Sequence, residues 1–282
     1  MKIFFLSISF LFFLTLISGC RKSQTSVVDS PNVDSLYKEK FDQAYGTDSL
    51  QTYDLYLPQG RSQQTKAIIL IHGGGWVSGE KAYCKYYAVR FAGFGFAAIS
   101  MNYRLANGSV HYEDMLDDIG SMIECVLKNA RQWGISSSEI ALFGYSAGGH
   151  LALLYSYSRN SDRKITSVIS LAGPTDLQDS LLWHYPGLYD EIKLMTGDSS
   201  PENWEKATPI HYISSAIPST FLIHGTIDSV VPFSQSVKLS QAMKNSFAHQ
   251  KLLLMENQTH YFSPEATERM LVETNDFLRL PQ

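Results

Sequence analysis

The chain has 282 residues, 44% of them hydrophobic, with a formal net charge of −4 and three cysteines. That length suffices for one large α/β domain with a substantial core. The acidic balance offers no basic stripe to neutralise phosphates, which excludes nucleic acid as a partner, and no Cys/His spacing marks a metal site.

Lys2 precedes an uncharged apolar run from Ile3 to Ile17, shorter than the ~20 residues a membrane span needs. Ile17-Ser18-Gly19-Cys20 closes that run. It resembles the bacterial lipobox, which implies a signal peptide over 1–19 and Cys20 as the lipid-carrying residue. An ordinary cleaved signal or an uncleaved anchor are the alternatives. The expected address is the bacterial cell envelope, at the periplasmic face or outer membrane, with membrane contact through this lipid anchor only. Residues 20–36 are poor in apolar side chains and predict a flexible tether. A single domain is expected over 37–282.

Within that domain Thr52–Leu57 alternates and stops at Pro58, as an edge strand does. Ala67–Ile71 is wholly apolar and predicts a strand buried on both faces. A helix over Glu80–Phe91 and a buried strand over Phe96–Ser100 follow. His111–Trp133 carries Met115, Ile119, Met122, Ile123 and Val126 at helical spacing and ends near Gly134. Ile140–Phe143 is the next strand, Ala147–Tyr157 a helix, and Ile165–Leu171 another buried strand. Strands over Thr220–His224 and Lys251–Met255 flank a helix over Phe233–Ser246, and Pro264–Leu278 forms a C-terminal helix. Short apolar strands alternating with helices predict an α/β fold, a mostly parallel sheet covered on both faces. Thr175–Ser215, with Trp183, Tyr185, Tyr189 and Trp204, predicts an insertion over the carboxyl edge of the sheet, where ligands bind in such folds. Cys84 and Cys125 either pair or remain buried thiols.

Gly144-Tyr145-Ser146-Ala147-Gly148 sits between a strand and a helix. In that context G-x-S-x-G strains the serine backbone and lifts its hydroxyl clear of the sheet, which makes Ser146 the candidate nucleophile. The alternative is a glycine-rich turn with an incidental serine. A serine hydroxyl needs a base, and the base needs an orienting carboxylate. Asp228 follows the strand ending at His224, and His260 follows the last strand, so the order Ser146, Asp228, His260 is that of a triad on this architecture. His72-Gly73-Gly74-Gly75-Trp76 also follows a strand and matches an oxyanion loop. Gly74, Gly75 and Ala147 are the expected oxyanion donors, and His72 holds the loop. Trp76 and Tyr145 flank these motifs as candidate substrate-binding residues, with core packing an equal alternative for Tyr145. Asp117 and Asp118 are expected on a helix face, pairing with Arg104.

These motifs, with Asn102-Tyr103-Arg104-Leu105 and His224-Gly-Thr-Ile-Asp-Ser-Val-Val-Pro232, resemble the α/β-hydrolase esterases. The nearest branches are the hormone-sensitive-lipase-like carboxylesterases and the BD-FAE group of bacterial feruloyl/acetyl esterases. The resemblance implies an eight-stranded, mostly parallel sheet and an acyl-enzyme mechanism without cofactor or metal. One departure lies at Asn257-Gln-Thr-His260-Tyr261-Phe262, where the family has a glycine-rich approach ending in His-Gly-Phe. Tyr261 adds bulk beside the base and narrows the leaving-group side. The function expected is hydrolysis of short-chain acyl esters of small molecules or saccharides, acetyl or feruloyl groups among them. An arylformamidase, amidase or peptidase using the same triad is the first alternative. A binding lipoprotein that has lost catalysis is the second.

Overall fold

The computed structural model describes residues 37–280; the expected signal peptide, Cys20 and the tether lie outside them. Eight strands form one sheet in the order β1-β2-β4-β3-β5-β6-β7-β8. They are β1 Tyr37–Ala44, β2 Thr52–Pro58, β3 Ala67–Ile71, β4 Ala97–Met101, β5 Ile140–Tyr145, β6 Ile165–Leu171, β7 Ser219–Gly225 and β8 Gln250–Met255. β2 runs antiparallel to both β1 and β4, and every pairing from β4 to β8 is parallel.

Side chains alternate across a strand, and here successive residues feed two separate cores. Ile69, Ile99, Leu142, Val168 and Leu222 point to one face. There they meet α2 (Tyr112–Trp133), α3 (Ala147–Ser158) and α6 (Ser234–Asn245) through residues such as Ile119, Leu151 and Leu239. Ile68, Leu70, Ala98, Phe143 and Phe221 point to the other, against Phe91 of α1 (Lys85–Gly93) and Met270 and Phe277 of α7 (Pro264–Arg279). Covering helices on both faces explain why β3, β4 and β5 read as continuous apolar runs.

Two expected elements need correction. β2 is internal, because β1 pairs along its outer side. β1 has no hydrophobic pattern: Lys38 to Ala44 is exposed, and its charges suit an edge that must not recruit another strand. The helix expected from Glu80 opens instead as a 3-10 turn over Lys81–Cys84 before α1. Cys84 and Cys125 are both free and pack into the cores on opposite faces of the sheet, so they do not pair.

The Thr175–Ser215 segment is helical, with α4 Leu188–Thr196, α5 Pro201–Lys206 and 3-10 turns over Ser180–His184 and Pro209–Tyr212. Trp183, Tyr189 and Trp204 pack edge-to-face or tilted against one another with centroids 5.4–5.7 Å apart. The Gln235 amide of α6 accepts hydrogen bonds from Thr175 N–H and Asp176 N–H at 2.9 and 2.8 Å, tying the segment to the domain. Arg104 pairs with fully buried Asp118 at 2.7 Å, while Asp117 pairs with Arg159 instead. No helix among the described residues is long and apolar enough to cross a membrane.

Candidate active site

β5 ends at Tyr145 and α3 begins at Ala147, which leaves Ser146 alone to turn the chain, at φ 55° and ψ −122°. A non-glycine residue at positive φ is strained and persists only where its surroundings enforce it. They do so here by close backbone packing: a Cβ at Gly144 would stand 2.0 Å from Gly148 O, and one at Gly148 would stand 2.1 Å from Ile71 O.

His260 arrives from the loop between β8 and α7, and Asp228 from the loop after β7. Ser146 Oγ donates to His260 Nε2 at 2.9 Å, and His260 Nδ1 donates to Asp228 Oδ2 at 2.7 Å. Asp228 Oδ1 accepts from Val230 N–H and Val231 N–H at 2.8 and 2.9 Å. Burial alone would raise the Asp228 carboxyl. Hydrogen bonds from His224 and His260, the His260 charge and the Val231 N–H outweigh it and hold the group well below the usual carboxylate range. A hydroxyl bonded to an imidazole, itself held by a carboxylate, can surrender its proton as its oxygen attacks an electrophilic carbon.

The loop after β3 passes beside Ser146 with three successive positive φ angles, 120° at Gly74, 60° at Gly75 and 64° at Trp76. Gly74, Gly75 and Ala147 line the same pocket as Ser146 and His260, and no acceptor in the described chain takes their N–H groups. Free donors fixed around a nucleophile are suited to an oxyanion. The pocket measures about 220 Å³ and is also lined by Trp76, Tyr145 and Tyr261.

Those three aromatic residues do different things. Trp76 is fully buried, and its Nε1 donates to His150 Nδ1 at 3.1 Å. Tyr145 donates its hydroxyl to His260 O at 2.9 Å and lays its ring beside the imidazole, centroids 5.2 Å apart. Tyr261 is 74% exposed at the mouth. His72 donates from Nδ1 to Gly73 O at 2.7 Å and stacks on Tyr103 at 4.3 Å.

Two histidines without any expected role prove to be structural supports. His150 bridges Trp76 to Ala207 O (2.7 Å from Nε2), joining the glycine loop to the helical insertion. His224 receives the Ser236 hydroxyl at Nδ1 (2.8 Å) and points Nε2–H at Val231 O (2.8 Å) and Asp228 Oδ2 (3.3 Å). The partners of His150 lie 74 and 57 residues away in sequence, whereas those of His224 all lie within 12 residues of it. Among the described residues no group of His, Cys, Asp and Glu is arranged to hold a metal.

The model of the BD-FAE family matches residues 53–243. The chain belongs to the BD-FAE family. It is 28% identical over 235 residues to a protein named probable isoprenylcysteine alpha-carbonyl methylesterase ICME from Oryza sativa subsp. japonica, a match covering 77% of this chain and 56% of that one. It is 28% identical over 211 residues to Esterase LipC of Mycobacterium tuberculosis, covering 68% and 52%. The chain therefore spans about half the length of these curated relatives. Among solved structures, a carbohydrate esterase from gut microbiota superposes with TM-score 0.76 at 21% identity, covering 88% of this chain and 98% of that one. Esterase B from Lactobacillus Rhamnosis gives 0.73 at 23%, covering 86% of each. The BD-FAE chain thus has the α/β-hydrolase fold, as its motifs led one to expect.

Proposed function

We propose that this BD-FAE chain is a serine carboxylesterase acting on short-chain acyl esters through an acyl-enzyme. The observation that carries this is the continuous relay from Ser146 Oγ through His260 to Asp228, at 2.9 and 2.7 Å, opening onto unbonded N–H donors. His260 takes the Ser146 proton as the serine attacks the ester carbonyl. Asp228 keeps the imidazole in the required tautomer and stabilises its charged form. Gly74, Gly75 and Ala147 hold the oxyanion, and His260 protonates the departing alcohol. Water activated by the same histidine then releases the acid.

The pocket of about 220 Å³ favours a small acyl group. Tyr185 lines it and is 38% exposed, and Trp183 and Tyr189 of the same insertion are 40% and 39% exposed; aromatic faces of this kind can stack on a sugar ring, which supports acetyl or feruloyl esters of saccharides. Envelope anchorage through Cys20 completes the proposal; incorporation of labelled palmitate, lost in Cys20→Ala, tests it.

The deciding experiment is hydrolysis of p-nitrophenyl acetate, butyrate and octanoate, with Ser146→Ala as control. Turnover of the short esters that the variant abolishes supports the assignment. A folded wild type that ignores esters but reacts with a fluorophosphonate probe points to a formamide or amide substrate. Failure with the probe as well leaves a binding protein.

A further inference from the structure

One wall of the Ser146 pocket has no part in the relay. It comes from the helical insertion, where Tyr185, Leu188 and Glu191 face the glycine loop. Glu191 lies in the first half of α4, and its carboxylate presses on that loop: a Cβ at Gly75 would stand 2.2 Å from Oε2 and 2.8 Å from Oε1. No lysine or arginine lines the pocket, and Lys193 on the same helix is exposed. Neither a hydrogen bond nor an ion pair joins the Glu191 carboxylate to any described residue. Half-burial, with nothing to offset it, raises its pKa.

This placement is costly twice over. A carboxylate taken from water without a partner loses solvation that nothing returns. A negative charge beside an oxyanion site also opposes the charge that develops there. Both costs fall when a bound molecule brings a cation or hydroxyl donor to the carboxylate, and both grow when it brings a second anion.

We infer that Glu191 is a specificity-determining residue, selecting esters that carry a cation or hydroxyl donor at the Gly75 wall and rejecting esters that carry a carboxylate there. This deepens the esterase proposal and rests on it. The substrate class it names is neutral-polyol or cationic, as opposed to half-esters of dicarboxylic acids or uronate esters.

The test is a charge series on each side of the ester bond, using the full chain and its Glu191→Gln variant. On the acyl side the probes are p-nitrophenyl esters of butyrate, succinate and 4-(trimethylammonio)butanoate. On the alcohol side they are 3,3-dimethylbutyl thioacetate, 3-(acetylthio)propanoate and acetylthiocholine. In the series that reaches the wall, wild type should favour cation over anion in kcat/KM by about 30-fold at low salt, and Glu191→Gln should compress that ratio to roughly threefold. Added salt should shrink the wild-type ratio and leave that of the variant in place. A purely structural role would lower all rates together and leave the ratio unmoved, so an unchanged ratio in both series overturns the inference alone. If wild type hydrolyses no neutral ester and Ser146 takes no fluorophosphonate, the esterase proposal falls and this inference with it.

Discussion

Acid should unfold this protein through two histidines that never touch substrate. His72 and His150 are 1% and 0% exposed. Burial lowers each from 6.5 to about 4, against a smaller raising effect of the hydrogen bonds to Gly73 O and Ala207 O. Both are therefore neutral in the folded chain at pH values where the unfolded chain has protonated them. The unfolded state binds more protons, so stability is full above pH 6.5 and is lost as pH falls toward 4. Between about pH 8 and pH 5 each histidine should cost roughly 2 kcal/mol, ~4 kcal/mol for the pair. That window lies above the range in which depressed carboxylates such as Asp228 lose their contribution. Urea unfolding followed by tryptophan fluorescence at both pH values measures the loss. His72→Asn keeps a donor for Gly73 O and His150→Gln keeps one for Ala207 O, and each should remove about half of the pH-dependent part whatever it does at pH 8. A loss under about 1 kcal/mol, or an undiminished loss in both variants, would refute the assignment of buried neutral imidazoles.

Ser146→Ala should lower kcat by ~10⁶-fold and Asp228→Asn by ~10⁴-fold, both with near-wild-type circular dichroism; steady-state assays on the best p-nitrophenyl ester check this. Tyr145→Phe removes the hydroxyl that holds His260 O at 2.9 Å. It should lower kcat about fivefold to tenfold with little change in Tm, as expected for one positioning hydrogen bond. Asp118 is fully buried and accepts from the Arg104 guanidinium, Arg104 N–H and the Gln51 amide. Asp118→Ala should therefore destabilise by about 3 kcal/mol, seen as a fall in Tm of roughly 6–12 °C, and an unchanged Tm would exclude the pair as a structural anchor.

Much of this molecule is legible in its sequence, for a local reason. The buried parallel strands β3, β4, β6 and β7 are short, mostly apolar runs, so their bounds shift by at most two residues between pattern and structure. Ser146, Asp228 and His260 are legible because they stand in the turn or loop that follows β5, β7 and β8. β1 escaped notice because a strand exposed from Lys38 to Ala44 has neither alternation nor apolar content, and with it went the internal position of β2. The bracing role of His150 is not legible because its partners are 74 and 57 residues away, and that of His224 because only the folded loop turns Val231 O, Asp228 and the Ser236 hydroxyl of α6 onto its ring. Glu191 was equally silent. In sequence it is an acidic residue in the first turns of a helix, an ordinary place for one. Only its contact with the Gly75 loop sets it apart.

Strand order explains why the site needs such supports. Parallel strands deliver all their carboxyl ends to one edge, and β3 is the neighbour of β5, which sets Gly74 and Gly75 beside Ser146 at no extra cost. β7 is likewise the neighbour of β8, which sets Asp228 beside His260. The nucleophile and the base have no such adjacency. β6 and β7 stand between their strands, a separation of ~14 Å at ordinary strand spacing. The His260 loop must lean back across two strands, and loops are the most mobile parts of a fold. Tyr145 shortens that freedom directly, since the residue before the nucleophile grips the backbone of the base. His224 does the same for the acid from below, holding the Val231 carbonyl while the Val231 N–H holds Asp228. The relay is thus braced at both ends by groups that take no proton, and a substitution that loosens either brace should slow turnover before it lowers stability.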